Sequence, residues 1–423
     1  MTSKKAWINH TNVYEVNLRQ YTEEGTFAAF ANHLPRLKDM GVKTLWFMPI
    51  TPIAQKEKKG SMGSYYACSD YTSINPEFGT LADFRSLVKQ AHKQGFKIII
   101  DWVANHTGWD HVWTTQHPEW YERDEATGEF KRASGMDDII ELDFRNAAMR
   151  KTMIEAMKFW VQECDIDGFR CDLAFWVPLH FWREAKTELD KLKELFWLAE
   201  ADPLEYPEYM QVFDAAYSWT WMHRTEEFYR KGLHLHELIK VLDQYQESPG
   251  IKAWFTSNHD ENTWNGTEYE KYGAAAKLLA VFSCTWPGIP LIYSGQELPN
   301  LKRLEFFEKD VIEWKDTLEL HVFYKTLLHL QTSHPALKIN SRLLRIHTSG
   351  DETVLSYLRK TGENEIMVLL NFSPQPIRLE IFDIRAEGKF RNVFDGEEMD
   401  IGRQRNVSLE AWGFIVFQKM ESS

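Results

Sequence analysis

The sequence predicts an α/β fold: a closed (β/α)8 TIM barrel with a small insertion after strand three and a C-terminal antiparallel β-sandwich. Three observations point there. Apolar runs of strand length alternate with segments of helical period, eight such strands can be counted, and after about residue 340 the pattern changes to short strands separated by turn signals. A chain of 423 residues also exceeds one ordinary compact core and suits a large barrel with an appended domain.

Strand one is read at residues 13–18. A helix follows with Phe27, Phe30, Ala31, Leu34 and Leu37 on one face, ending near Gly41. Residues 44–48 form strand two. Leu81, Phe84, Leu87, Val88 and Ala91 mark a helix that stops at Gly95. Strand three, residues 97–103, holds three consecutive isoleucines, as expected where both faces of a sheet are covered. Residues 107–143 lack periodicity and read as an excursion over one end of the sheet, the kind of long connection that often carries function. Met149, Met153, Met157 and Trp160 define the next helix. Residues 166–171, 195–199, 212–216, 253–257 and 289–293 supply strands four to eight, and a last helix spans 320–331. The barrel is therefore assigned to 1–106 and 144–340, the insertion to 107–143 and the sandwich to 341–423.

Asp plus Glu outnumber Lys plus Arg by 62 to 49, a formal charge of −13 that repels nucleic acid and anionic lipid and favours a neutral partner. The 17 Trp, 16 Tyr and 26 Phe exceed what one function needs; most fill the core, and the rest suit the apolar faces of sugar rings. Four cysteines, Cys68, Cys164, Cys171 and Cys284, form no CxxC pair and no disulfide framework. The first eleven residues hold no apolar signal segment, and nowhere do 18 apolar residues run together. A cytoplasmic protein is the expectation. Nothing in the sequence speaks to oligomeric state. The histidines, His234 and His236 included, show no zinc spacing.

Polar clusters fall at or just after the ends of four strands: Asp101 to Asn105 and His106, Gly168 to Arg170 and Asp172, Glu200, and Asn258-His259-Asp260. A lone acid at a strand end is commonly a cap. Four clusters on one rim would converge on the barrel mouth. Three carboxylates crowded there repel one another, so one retains a proton and acid and base roles separate. Glycoside hydrolysis needs this division: one carboxylate attacks the anomeric carbon while a protonated partner donates to the leaving oxygen. Arg170, two residues before Asp172, would orient that nucleophile.

In order along the chain, these clusters resemble the signature regions of the α-amylase family of glycoside hydrolases. The likeness extends to the segment from Gly63 through Tyr66 to Asp70, to Pro76 through Gly79, and to Gly288 through Glu297. It covers most of residues 10–420. The resemblance implies Asp172 as nucleophile, Glu200 as general acid and then base, and Asp260 as the third acid holding sugar hydroxyls. It implies His106 and His259 as hydroxyl ligands, Tyr66 as a stacking platform, Arg170 against the nucleophile with Asp101 bracing it, and Arg303 reaching the site. No cofactor is required, and Asn105 is a ligand if a structural Ca2+ is present. Where many members carry a small residue and then Lys-His after the nucleophile, this chain has Leu173-Ala-Phe175-Trp176.

The activity expected from the resemblance is retaining hydrolysis of α-1,4-glucosidic bonds in maltodextrin or starch-type α-glucans. The alternatives are an α-glucan transglycosylase, another α-glucosidase of the same family, or a non-catalytic sugar-binding protein. The last is disfavoured because members of that kind lose one or more of the three acids.

Overall fold

The computed structural model describes residues 5–420; the outermost ends of the first and last assigned domains lie outside them. Eight parallel strands close into a barrel: β1 (Val13–Val16), β2 (Thr44–Phe47), β3 (Lys97–Trp102), β4 (Gly168–Cys171), β5 (Phe196–Ala199), β6 (Ala215–Tyr217), β7 (Ile251–Trp254) and β8 (Ile289–Tyr293). Sequential neighbours pair around the ring, and β1 closes on β8 with Val13 opposite Leu291.

Side chains alternate along each strand. Ile98 and Ile100 face the surrounding helices, while Ile99 faces inward with Val13, Trp46, Phe196, Leu198, Ala215, Ala253, Ile289 and Leu291. The lower barrel is therefore a packed apolar plug. Gly168 sits where a Cβ would meet the Phe196 carbonyl oxygen at 2.1 Å, so only glycine lets β4 and β5 approach this closely.

The first helix read from the sequence is two helices, Phe27–Ala31 and Leu34–Met40. Pro35 lies in the first turn of the second; having no N–H, it belongs at a helix start and not within a continuous one. Gly41 and Gly95 end their helices in the left-handed conformation, at φ 98° and 93°. Strand six begins later than expected because Pro207–Gln211 forms a 3-10 turn and Val212 caps it. Strand seven is shifted two residues earlier, freeing residues 255–260 to turn over the mouth.

The excursion after β3 contains a two-stranded antiparallel sheet, His106–Gly108 against Ile139–Glu141, and a short helix, Val112–Gln116. After the helix His321–Ser333 comes a six-stranded antiparallel sheet and a two-stranded one, Ile377–Glu380 with Asn406–Leu409. They share a core of Val354, Leu358, Met367, Leu369, Leu379, Val407 and Leu409. Buried Arg359 binds this domain to the barrel by donating to the Thr285 and Lys338 carbonyls, both at 2.7 Å. All four cysteines are free and buried. Among the described residues, no helix is long and apolar enough to cross a membrane.

Candidate active site

The alternation that fills the lower barrel with apolar groups delivers polar ones to its upper layer. Inward positions two residues further along bring Glu15 above Val13, Asp101 above Ile99, Arg170 above Gly168 and Glu200 above Leu198. Asp172 leaves β4 one residue after its last ladder position, with its N–H bonded to the Trp102 carbonyl at 3.0 Å. Asp260 follows on the turn after β7. A cavity of about 360 Å³ at this mouth is lined by Tyr66, His106, Asp172, Glu200, His259 and Asp260, among others.

Arg170 lies fully buried beneath that cavity. Its Nη1 donates to Asp101 at 3.0 Å and to Asp172 Oδ1 at 2.9 Å, and its Nη2 stands 2.9 Å from Glu200 Oε2. The guanidinium is seated 4.8 Å over the Trp46 ring, and its Nε donates to the Tyr217 hydroxyl at 3.3 Å. Three buried carboxyl groups thus share one cation. Burial pushes Asp101 and Asp172 up to about 6 and Glu200 up to about 7, against the opposing pull of Arg170. Burial thus favours keeping a proton within this group of carboxyls. The Leu173 N–H, at 2.8 Å from Glu200 Oε2, orients that carboxyl group.

The second cluster is built around a cation. His259 is sandwiched between Glu15, whose Oε1 lies 2.5 Å from Nδ1, and the pair Tyr66 and Asp260, at 2.8 and 3.3 Å from Nε2. The Tyr66 hydroxyl gives its hydrogen to Asp101 at 3.0 Å, so it accepts from Nε2–H. Burial disfavours the imidazolium, but Asp260 and Glu15 hold its pKa well above the ordinary histidine value. Burial likewise opposes ionisation of Asp260, and His259 outweighs it, leaving that carboxyl below its usual range. The Asp260 side chain is 38% exposed and faces the cavity as an anion. His106 is the opposite case: burial lowers it to about 4, and its neutral Nε2 has no protein partner where it lines the cavity.

Asn105 stands apart. It lines a neighbouring cavity of about 570 Å³ with Glu122, Glu141, Asp143 and Arg145. Arg145 takes both oxygens of Asp143, at 2.8 and 3.0 Å, and Glu122 at 3.0 Å, while Lys131 holds Glu141 at 2.6 Å. Calcium needs six to eight oxygens, yet the carboxylates here already carry the chain's own cations. No cluster of three or more metal-binding side chains occurs among the described residues. The residues around Asn105 do not fit a calcium ion.

Arg303 does not reach the site; it pairs with Glu270 at 2.9 and 3.2 Å on the surface, where its long side chain finds a nearer carboxylate. Sequence reading missed Glu15, whose signal was a lone carboxylate at an inward position of an apolar strand. It also missed Trp264, Phe306 and Phe307, an aromatic group on the loops after β7 and β8 with Trp264 52% exposed at the cavity wall. No local pattern marks these loops.

The α-amylase catalytic-domain model matches residues 8–120 and 114–320, and the maltogenic amylase C-terminal domain model matches 344–416. The α-amylase MalA of Haloarcula japonica is 28% identical over 393 residues; the match takes in 88% of this chain and 56% of that protein's length. A noncanonic maltogenic α-amylase, AmyB, from Thermotoga neapolitana superposes with a TM-score of 0.89 at 29% identity, covering 98% of this chain and all of its own. An α-amylase from Lactobacillus plantarum superposes at 0.87 with 27% identity and the same coverage.

Proposed function

The chain belongs to the α-amylase family of glycoside hydrolases, and from that premise we propose that it hydrolyses α-1,4-glucosidic bonds of maltodextrins by double displacement. The observation that carries this reading is the sharing of Arg170 by Asp172 and Glu200 at the wall of one cavity, with more carboxyl groups than cations around them. The pair then divides into an ionised nucleophile and a protonated acid at neutral pH.

In the first step Asp172 Oδ attacks the anomeric carbon as the bond to the leaving oxygen breaks. Glu200 passes its proton to that oxygen, giving a glucosyl ester and a shortened glucan. In the second step Glu200, now ionised, takes a proton from water, the water oxygen displaces Asp172, and the α configuration returns. In the transition state of each step the ring carries positive charge. The Asp260 anion stabilises it and accepts from sugar hydroxyls. The free Nε2 of His106 serves a hydroxyl of the same sugar, Tyr66 forms its platform, and His259 holds Tyr66 and Asp260 in position beside it. Retaining enzymes hold their carboxyl groups roughly 5–5.5 Å apart, a spacing compatible with two groups bound to the two ends of one guanidinium.

Turnover is tested by release of reducing ends from maltoheptaose, with the first product followed by proton NMR. The α anomer is expected; a β anomer at first appearance would overturn the double displacement.

A further inference from the structure

The cavity at the mouth is walled on one side. The loop after β2 carries Lys59, Ser64 and Tyr66; the insertion after β3 carries Met136, Asp138 and Ile139; the loop after β8 carries Phe306 and Phe307. These three loops are hydrogen-bonded into one rim. The Met62 N–H donates to the Phe307 carbonyl at 3.0 Å, and Ser61 binds the Glu308 carboxylate through its N–H at 2.8 Å and through its hydroxyl. On the other flank the Lys59 ammonium pairs with Asp138 Oδ1 at 2.8 Å and lies 6.0 Å from the centre of the Phe307 ring. The Gly108 N–H donates to the Cys68 carbonyl at 2.8 Å, and the Asp110 carboxylate accepts from the Gln55 and Lys56 N–H groups. Lys59 thus links all three loops.

The chemistry orients the substrate against this rim. The general acid marks the side of the leaving group, and Glu200 comes from β5, next to the segment after Asp172. Leu173, the first residue of that segment, lines the mouth cavity beside Glu200 and donates its N–H to Glu200 Oε2 at 2.8 Å. The sugar that keeps its anomeric carbon lies instead among Tyr66, His259, Asp260 and Phe306, on the side of the rim. The whole mouth cavity, both carboxyl groups included, measures about 360 Å³ and is at the small end of ordinary ligand pockets.

Resting on the roles assigned above to Asp172 and Glu200, we infer that Lys59, Asp138 and Phe307 close the non-reducing end of the cleft and set product length. The enzyme then removes short units from chain ends. A chain threaded through both sides would have to displace the Lys59–Asp138 pair.

The test uses maltoheptaose labelled at its reducing end, with products separated at early times. Wild type is expected to release one dominant unlabelled product of one or two glucose units. Lys59→Ala, Asp138→Ala and Phe307→Ala are each expected to raise the share of longer unlabelled fragments by about fivefold or more, because they alter which bond is placed at the reacting carboxylates and not the chemistry there. Phe307→Ala, on a different loop from the ion pair, serves if either partner's loss prevents folding. A wild-type enzyme that releases many fragment lengths from the outset, or variants that turn over with the wild-type profile, would overturn the wall. Absence of turnover by folded wild type on every maltodextrin would instead overturn the hydrolase reading on which the wall depends.

Discussion

The two ends of strand β4 carry buried carboxylates of opposite character. Below it, Asp167 receives Lys97 at 2.9 Å, Lys193 at 3.1 Å, His92 at 2.7 Å and the Ile98 N–H at 2.9 Å. Burial opposes its charge, but His92 and the two lysines prevail, and its pKa is driven well below the ordinary range. Above the strand, five residues away, Asp172 shares a single arginine with Asp101 and Glu200, and burial drives it up to about 6. The difference is stoichiometric. A surplus of cations makes a carboxylate part of the scaffold; a surplus of carboxylates leaves a proton and a nucleophile free for chemistry. This agrees with the division of labour in such barrels, with catalysis at the C-terminal face and stability at the other.

The comparison is broken most sharply by Asp172→Asn. Turnover of maltoheptaose is expected to fall by about 10⁴ or more while the thermal midpoint holds or rises, because the group acts in the transition state. A variant within tenfold of wild type would remove Asp172 from the chemistry. The matching change at the other end, Asp167→Asn, is expected to cost about 2 kcal/mol of stability. That is less than the 3–5 expected for a fully buried pair, because its lysines are partly solvated. Its activity per folded molecule should stay near wild type, which denaturant titration and initial rates would measure side by side. Equal loss of activity would erase the contrast.

The smallest effect carries the most information, because its sign reverses between the two ends. Asp167 has a lowered pKa when folded, so its contribution is present above the unfolded value near 4 and is lost as pH falls below it. Asp172 has a raised one, so folding favours its protonated form and stability is lost as pH rises from about 4 to about 6. Asp172→Asn should therefore stabilise the protein by about 1 kcal/mol at pH 8 and by almost nothing at pH 4, whereas the penalty of Asp167→Asn should be large at pH 7 and shrink in acid. Unfolding curves at the two pH values decide it; a penalty for Asp172→Asn that grows with pH would contradict the surplus of carboxylates.

Much of the barrel was legible along the chain. The isoleucine run of β3 and the glycines closing two helices show the elements directly, since period and capping are local properties. Pro35 was a visible break that periodicity alone overrode. Strand seven was misplaced by two residues because Phe255 and Thr256 read as strand while serving the turn that presents His259 and Asp260. The strand-end acids could be found because the barrel sends every strand's end to one mouth. Arg303 could not be judged, since its carboxylate partner Glu270 lies 33 residues away and only the fold brings them together.

By itself the sequence determined the number and order of the strands and the clusters of carboxyl groups that stand at the ends of four of them. Alternation and spacing are properties of neighbouring residues, so they survive without coordinates. Only the tertiary structure decided how many carboxylates share Arg170, that Glu15 lies beneath His259, and that Lys59 and Asp138 meet at the rim of the cavity. Coulomb and hydrogen-bond interactions depend on separations of a few ångströms between residues far apart in the chain, and no local pattern encodes those separations.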